Sequence, residues 1–216
     1  KLVRYRAEEA LRIALIFGIP ACAALYVLAE PLSSVLFGYP QVGASLKLLA
    51  LGTVTLGLIQ STTGILQGLG SMLIPVRNLA LGVVVKLALN YVLVADPSLG
   101  ILGAAWSTTL GWAVVALLNL GSVFRRVGPV INWRNGVFYP AVATFGAASS
   151  MYFLHDTLVY YVPNALASLG ALIIGFLLYF LLLMIWGSFT ERDVHLLPGV
   201  GRPLASWLQE WGFLRR

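Results

Sequence analysis

An ammonium and a carboxamide set one helical turn apart inside an apolar run are the residues of this sequence best suited to do chemistry. Lys86 and Asn90 stand in KLALNYVLV, four positions apart and so on nearly one face of a helix. Such a pair suits an anionic, hydroxyl-rich ligand: the lysine is a point charge toward phosphate, and the amide both donates to and accepts from hydroxyls. In the preceding run, Gln60, Thr63, Gly64 and Gln67 recur at i, i+3, i+4 and i+7 and form a second stripe, polar or small. That stripe has two readings. It lines an aqueous cavity, or it packs a neighbouring helix through the Gly64 and Gly68 GxxxG pair and interhelical glutamine bonds. Arg77 lies nine residues before Lys86, about half a turn away in azimuth, and serves as a surface anchor or as a further ligand contact. Lys86, Asn90, Gln60, Gln67 and Arg77 are therefore the candidate substrate-binding residues.

Arrangements for covalent chemistry are missing. His155 and His195 fall in a connection and in the tail, without metal-ligand spacing, and His155 beside Asp156 reads as a polar loop pair. Cys22 is the single cysteine, which excludes an internal disulfide and a thiolate metal cage and leaves a small packing residue. No glycine-rich phosphate loop is present. The expectation is a protein that is not an enzyme and uses no cofactor and no metal. No Asp or Glu lies inside the apolar runs, so Lys86 has no counter-ion there and needs a phosphate, or a carboxylate from elsewhere. The same absence disfavours a proton relay within these runs.

The elements that must position these side chains follow from composition. With 59% apolar and 10% charged residues and a mean hydropathy of +0.89, the 216 residues lie far outside soluble composition. Apolar runs cover residues 10–29, 46–67, 73–94, 101–124, 136–154 and 165–186. Each is long enough as a helix to cross about 30 Å of hydrocarbon. They are continuous rather than alternating, which predicts helices and not barrel strands. Pro20 inside the first predicts a kink. GYPQVG, ADPSLG and YVPN supply turns between them. The expected fold class is an all-α integral membrane protein, with residues 1–189 forming about six transmembrane helices and 190–216 a cytoplasmic tail. In that tail TERD opens a short helix capped by Thr190 and Asp193. Leu204, Trp207, Leu208 and Trp211 then fall at helical spacing and predict an interfacial amphipathic helix.

The net charge of +6 does not mark a nucleic-acid surface, because the basic residues are scattered through segments that flank the apolar runs. They read as topology signals. Lys1, Arg4, Arg6 and Arg12, then Arg77, then Arg125, Arg126 and Arg134, then Arg192, Arg202, Arg215 and Arg216 all fall on one side of a six-span path. The opposite connections carry Glu30, Asp96, His155 and Asp156, with Lys47 at the edge. Both termini are expected on the cytoplasmic side of a bacterial inner membrane. The opening KLVRYRAEEALR is neither a signal nor a transit peptide, and the chain is expected to begin inside a longer protein.

Several strings carry a family resemblance: ALIFGIPACAALYVLAEPLSSVLFG (Ala14 to Gly38), ILQGLGSMLIPVRN (Ile65 to Asn78), KLALNYVLV (Lys86 to Val94), LGILGAAWSTTLGW (Leu99 to Trp112) and TERDVHLLPGVGRPL (Thr190 to Leu204). In order and spacing they resemble the C-terminal portion of the polysaccharide-exporter and MurJ-like branch of the multidrug/oligosaccharidyl-lipid/polysaccharide transporter superfamily, closest to stage V sporulation protein B-like members. The fifth and sixth runs are generic. The resemblance implies a fourteen-helix transporter of two lobes, of which this chain matches the last six helices and lacks the N-terminal lobe. It implies alternating access that flips undecaprenyl-linked sugar or peptidoglycan precursors, with the lipid-linked sugar, membrane lipids and that missing lobe as partners. The best-known substrate arginines and acidic coupling sites of the family lie largely in the helices absent here. A drug or cation antiporter of the same superfamily is the alternative, and a membrane glycosyl- or acyltransferase a more distant one.

Overall fold

The structure, a computed structural model, describes residues 2–186. The described residues are helical and contain no strand. In chain order the helices are α1 (Leu2–Val27), α2 (Ala29–Phe37), α3 (Gly43–Gly68), α4 (Leu73–Ala95), α5 (Ile101–Val127), α6 (Tyr139–Leu158) and α7 (Asn164–Ile185). A 3-10 turn, Pro40–Val42, leads into α3, and a π-helical turn, Trp133–Phe138, leads into α6. Six stretches are long and apolar enough to cross a membrane: Leu2–Val27, Pro40–Gly68, Leu73–Ala95, Ile101–Val127, Trp133–Leu158 and Asn164–Ile185. This is a multi-pass, all-α membrane protein. The predicted tail helices, with His195 and the basic residues from Arg192 onward, lie outside the described residues.

Two boundaries differ from the apolar runs. α1 begins at Leu2 instead of near Ala10, because the charged opening has good helix formers throughout and simply continues the helix. Residues 30–37, read from sequence as part of a connection, fall within α2. Glu30 sits in its first turn, and Gly38, with φ of 74°, ends it in the left-handed conformation while donating to the Ser34 carbonyl.

Proline inside α1 creates a specific problem that the bundle solves. Pro20 has no N–H, so the carbonyl of Ile16 loses its helical partner. Tyr179 of α7 fills the gap, its hydroxyl donating to that carbonyl at 2.6 Å with both residues buried. α1 consequently runs unbroken through Pro20. Around this contact Ile16, Ala143, Ala147, Tyr179 and Leu183 join α1, α6 and α7. A second apolar cluster of Ala7, Leu11, Leu66, Val123 and Val130 joins α1, α3, α5 and the segment after α5. At the same end of the bundle Arg4 donates to the Pro129 carbonyl. At the other end Lys47 pairs with Glu30, and Asn164 donates to Ser34 and bonds to His155.

Candidate functional site

The Lys86 helix is built against α5 as an antiparallel pair, and small residues set how close the two come. A methyl group at Gly82 would overlap the Val115 side chain and lie 3.0 Å from the Gly111 carbonyl oxygen. One at Gly111 would lie 2.9 Å from Lys86 Cβ. One at Gly103 would overlap the Leu93 carbonyl. Glycine at these points lets backbone meet backbone, as membrane helix pairs require in the absence of a hydrophobic drive between them.

Along this seam, each step of four residues on α4 meets a residue of α5, and most of these are polar or small. Asn78 donates to Asn119 Oδ1 at 2.9 Å, and more distantly to Ser122 Oγ at 3.5 Å. Gly82 faces Val115, Lys86 faces Gly111, and Asn90 accepts from Ser107 Oγ at 3.1 Å. Asn119 also donates to Thr63 Oγ1 of α3 at 3.2 Å, so one buried amide ladder ties three helices. Thr109 adds a bond to the Leu48 carbonyl of α3. Buried amides in hydrocarbon need such partners, and here Asn78 and Asn119 supply them to each other.

Lys86 is half-buried, thirteen residues into α4, which puts it about 20 Å from the helix start and well inside the apolar span. Its stem rests on Gly111, and its ammonium has no hydrogen-bond or ion-pair partner among the described residues. Asn90 uses its carbonyl oxygen on Ser107 and keeps its amide N–H groups for another acceptor. Arg77 is exposed one turn into α4, beside the buried Asn78. α4 is also the least covered of the six spanning stretches.

The α3 stripe does not form one surface. Gln60 and Gly64 face a groove between the start of α1 and the end of α3, whereas Thr63 turns into the α3–α5 contact. A methyl at Gly64 or Gly68 would meet nothing, so among the described residues the GxxxG pair packs against no helix. Gln67 is exposed and outside the groove lining. The polar wall expected from α3 and α4 together is thus divided: Lys86 and Asn90 belong to the α4–α5 seam, and Gln60 to the α1–α3 groove.

Sequence reading missed Asn78, Asn119, Ser107 and Gly111. The signal for the first was available, since Asn78, Gly82, Lys86 and Asn90 recur every four residues. His155, in the last turn of α6, bonds to Asn164 and has a structural place between helices. Among the described residues no three His, Cys, Asp or Glu side chains gather as metal ligands would.

No known family profile matches the chain. It is 25% identical over 94% of its length to Stage V sporulation protein B of Bacillus subtilis. It is 26% identical over 92% of its length to the membrane protein YabM of the same organism. It spans 39% and 38% of those two proteins, about two fifths of their length. Multi-pass, helical through its described residues and matched over 94% of its length, the chain is similar to Stage V sporulation protein B, as its resembling strings imply.

Proposed function

We propose that this chain is the C-terminal part of a two-lobed transporter that flips undecaprenyl-linked sugar or peptidoglycan precursors across the bacterial cytoplasmic membrane by alternating access. Residues 1–189 are its last six membrane helices and 190–216 a cytoplasmic tail, with both ends of the chain on the cytoplasmic side. The observation that carries this reading is the Lys86 ammonium, deep in an apolar span and without an anionic partner among the described residues. Burying such a charge is costly unless something anionic meets it, and a diphosphate that comes and goes with each cycle meets that need. Asn90 stands one turn further along, with amide N–H groups to donate to a sugar or phosphate oxygen. The similarity to the membrane protein YabM, together with the six apolar helices, supports a membrane role.

In this reading no bond is made or broken. Lys86 and Asn90 hold the headgroup in one state of the cycle and release it in the other, and Arg77 offers a cation nearer the surface. The α4–α5 seam holds the Lys86 stem by glycine contact and the amide ladder, so the charge keeps its position while the lobes move. The test is binding of a short-chain prenyl diphosphate sugar to the purified full-length protein. Lys86→Gln should weaken it by about tenfold or more, the scale of one charge-assisted contact. Unchanged affinity would overturn the reading.

A further inference from the structure

Ser107 of α5 has two acceptors for a single proton. Its Oγ lies 3.1 Å from Asn90 Oδ1 on α4 and 2.9 Å from the Ala104 carbonyl oxygen on its own helix, and a hydroxyl has one O–H to give. The Ala104 carbonyl is already served. The helical N–H of Thr108 reaches it, and the Thr108 hydroxyl donates to it at 2.8 Å, so both its lone pairs are taken without Ser107. Asn90 Oδ1, by contrast, has only the Ser107 hydroxyl among the described residues.

The carboxamide of Asn90 fits this hydroxyl in two ways. In the first, Asn90 accepts from Ser107 and keeps its N–H groups for another partner. In the second, a half rotation of the amide exchanges oxygen and nitrogen at almost unchanged shape; Asn90 then donates to Ser107 Oγ, whose proton goes to Ala104. The heavy atoms hardly move, as the place requires. Ser107 is fully buried between Gly103, set against Leu93, and Gly111, set against Lys86. The second arrangement gains a bond, but to a carbonyl that already has two donors, so the two lie close in energy. What differs is the free end of the amide. The first presents N–H groups on the face shared with the Lys86 ammonium, a donor and a cation together, which suits an anion. The second presents Oδ1 there, an acceptor for the ammonium itself, and an ammonium in an apolar span calls for such an oxygen when no anion is bound.

Taking Lys86 and Asn90 as the headgroup seat proposed above, we infer that Ser107 is a positioning residue that couples the Asn90 amide to occupancy of that seat. Loaded, Ser107 donates to Asn90 and the amide N–H groups bind the anion. Empty, the amide turns, Ser107 donates to Ala104, and the amide oxygen serves Lys86. The test is binding of the same short-chain prenyl diphosphate sugar to the full-length protein, in a cycle of Ser107→Ala and Asn90→Ala, beside Lys86→Gln and Thr108→Val. Ser107→Ala should weaken binding by about fivefold, the scale of one neutral hydrogen bond, and by less than about twofold once Asn90→Ala is present. Thr108→Val frees the Ala104 carbonyl to hold the Ser107 proton, which favours the empty arrangement. It should weaken binding by about threefold, and leave affinity unchanged in the Ser107→Ala background, an effect that a purely structural role for Ser107 would not produce. Equal losses from Ser107→Ala with and without Asn90, or wild-type affinity in Thr108→Val, would overturn the inference even where Lys86→Gln weakens binding. Wild-type affinity in Lys86→Gln would overturn the headgroup seat, and this inference with it. Should Ser107→Ala not fold, Thr108→Val alone decides.

Discussion

Replacing Tyr179 by phenylalanine removes one hydroxyl from the bundle and leaves the Ile16 carbonyl, already deprived of a helical donor by Pro20, with no partner in a buried place. An unmade hydrogen bond at a buried acceptor costs about 1–3 kcal/mol, and side-chain bonds between membrane helices average about 0.6 and reach about 1.7 kcal/mol. The bond here is short at 2.6 Å, and both residues are buried, so a loss of about 1.5 kcal/mol, near the upper membrane value, is expected. Geometry supplies an internal control. Pro20→Ala restores an N–H at position 20, which donates to the same carbonyl from within α1, so in that background Tyr179→Phe should cost less than about 0.5 kcal/mol. The assay is reversible unfolding of the full-length protein in bicelles for the four members of this cycle. Equal losses from Tyr179→Phe in both backgrounds would refute the pairing of Tyr179 with the proline defect.

Other expectations follow from the α4–α5 seam and its flanking turn. Gly103→Ala should cost about 3 kcal/mol or more, because its methyl overlaps the Leu93 backbone. Gly121→Ala, in the same helix with open space around it, should be neutral or gain up to about 1 kcal/mol; thermal melts of the pair compare them directly. Asn119→Ala should cost about 2 kcal/mol in the same assay, since it leaves the buried Asn78 amide only its long contact to Ser122 and frees Thr63. The Ser98 hydroxyl and then its backbone N–H hold the Asp96 carboxyl below the usual range, in the turn between α4 and α5. A carboxyl with a lowered folded pKa stabilises its turn above the unfolded value of about 3.9, and that contribution is lost as pH falls through the lowered pKa. Ser98→Ala should therefore move the Asp96 titration, followed by carboxyl NMR, back up toward the ordinary value.

How much of this was legible in the sequence depends on the distance over which each feature is encoded. The spans were legible because each is one uninterrupted apolar run, and their limits moved by only a few residues wherever charge did not extend a helix. α1 moved most, since Tyr5, Arg6 and Glu8 continue a helix as readily as they leave a membrane. α2 was hidden because AEPLSSVLF is short and carries Pro31 in its first turn, the composition of a connection as much as of a helix. The candidate site was legible as residue types, with Lys86 and Asn90 sharing a face as their spacing requires. What they face was not: Gly111 and Ser107 come from another helix, and only packing brings them there. The α3 stripe shows the limit plainly. Gln60 and Thr63 are three residues apart and near neighbours on the helix, yet one looks into the groove and the other bonds to Asn119. The Tyr179 hydroxyl and Ile16 carbonyl lie 163 residues apart and carry no local mark of their pairing beyond Pro20 itself.

The central claim is that Lys86 meets the anionic headgroup of a lipid-linked sugar, and flipping of that substrate in vesicles by the full-length protein tests it most directly. Wild type, Lys86→Ala and Lys86→Arg are compared at matched protein level. The account predicts that Lys86→Ala lowers the flipping rate by about tenfold or more, the scale of a lost charge-assisted contact, and that Lys86→Arg restores part of it. Wild-type rates in both variants would contradict it and leave Lys86 a packing residue on Gly111.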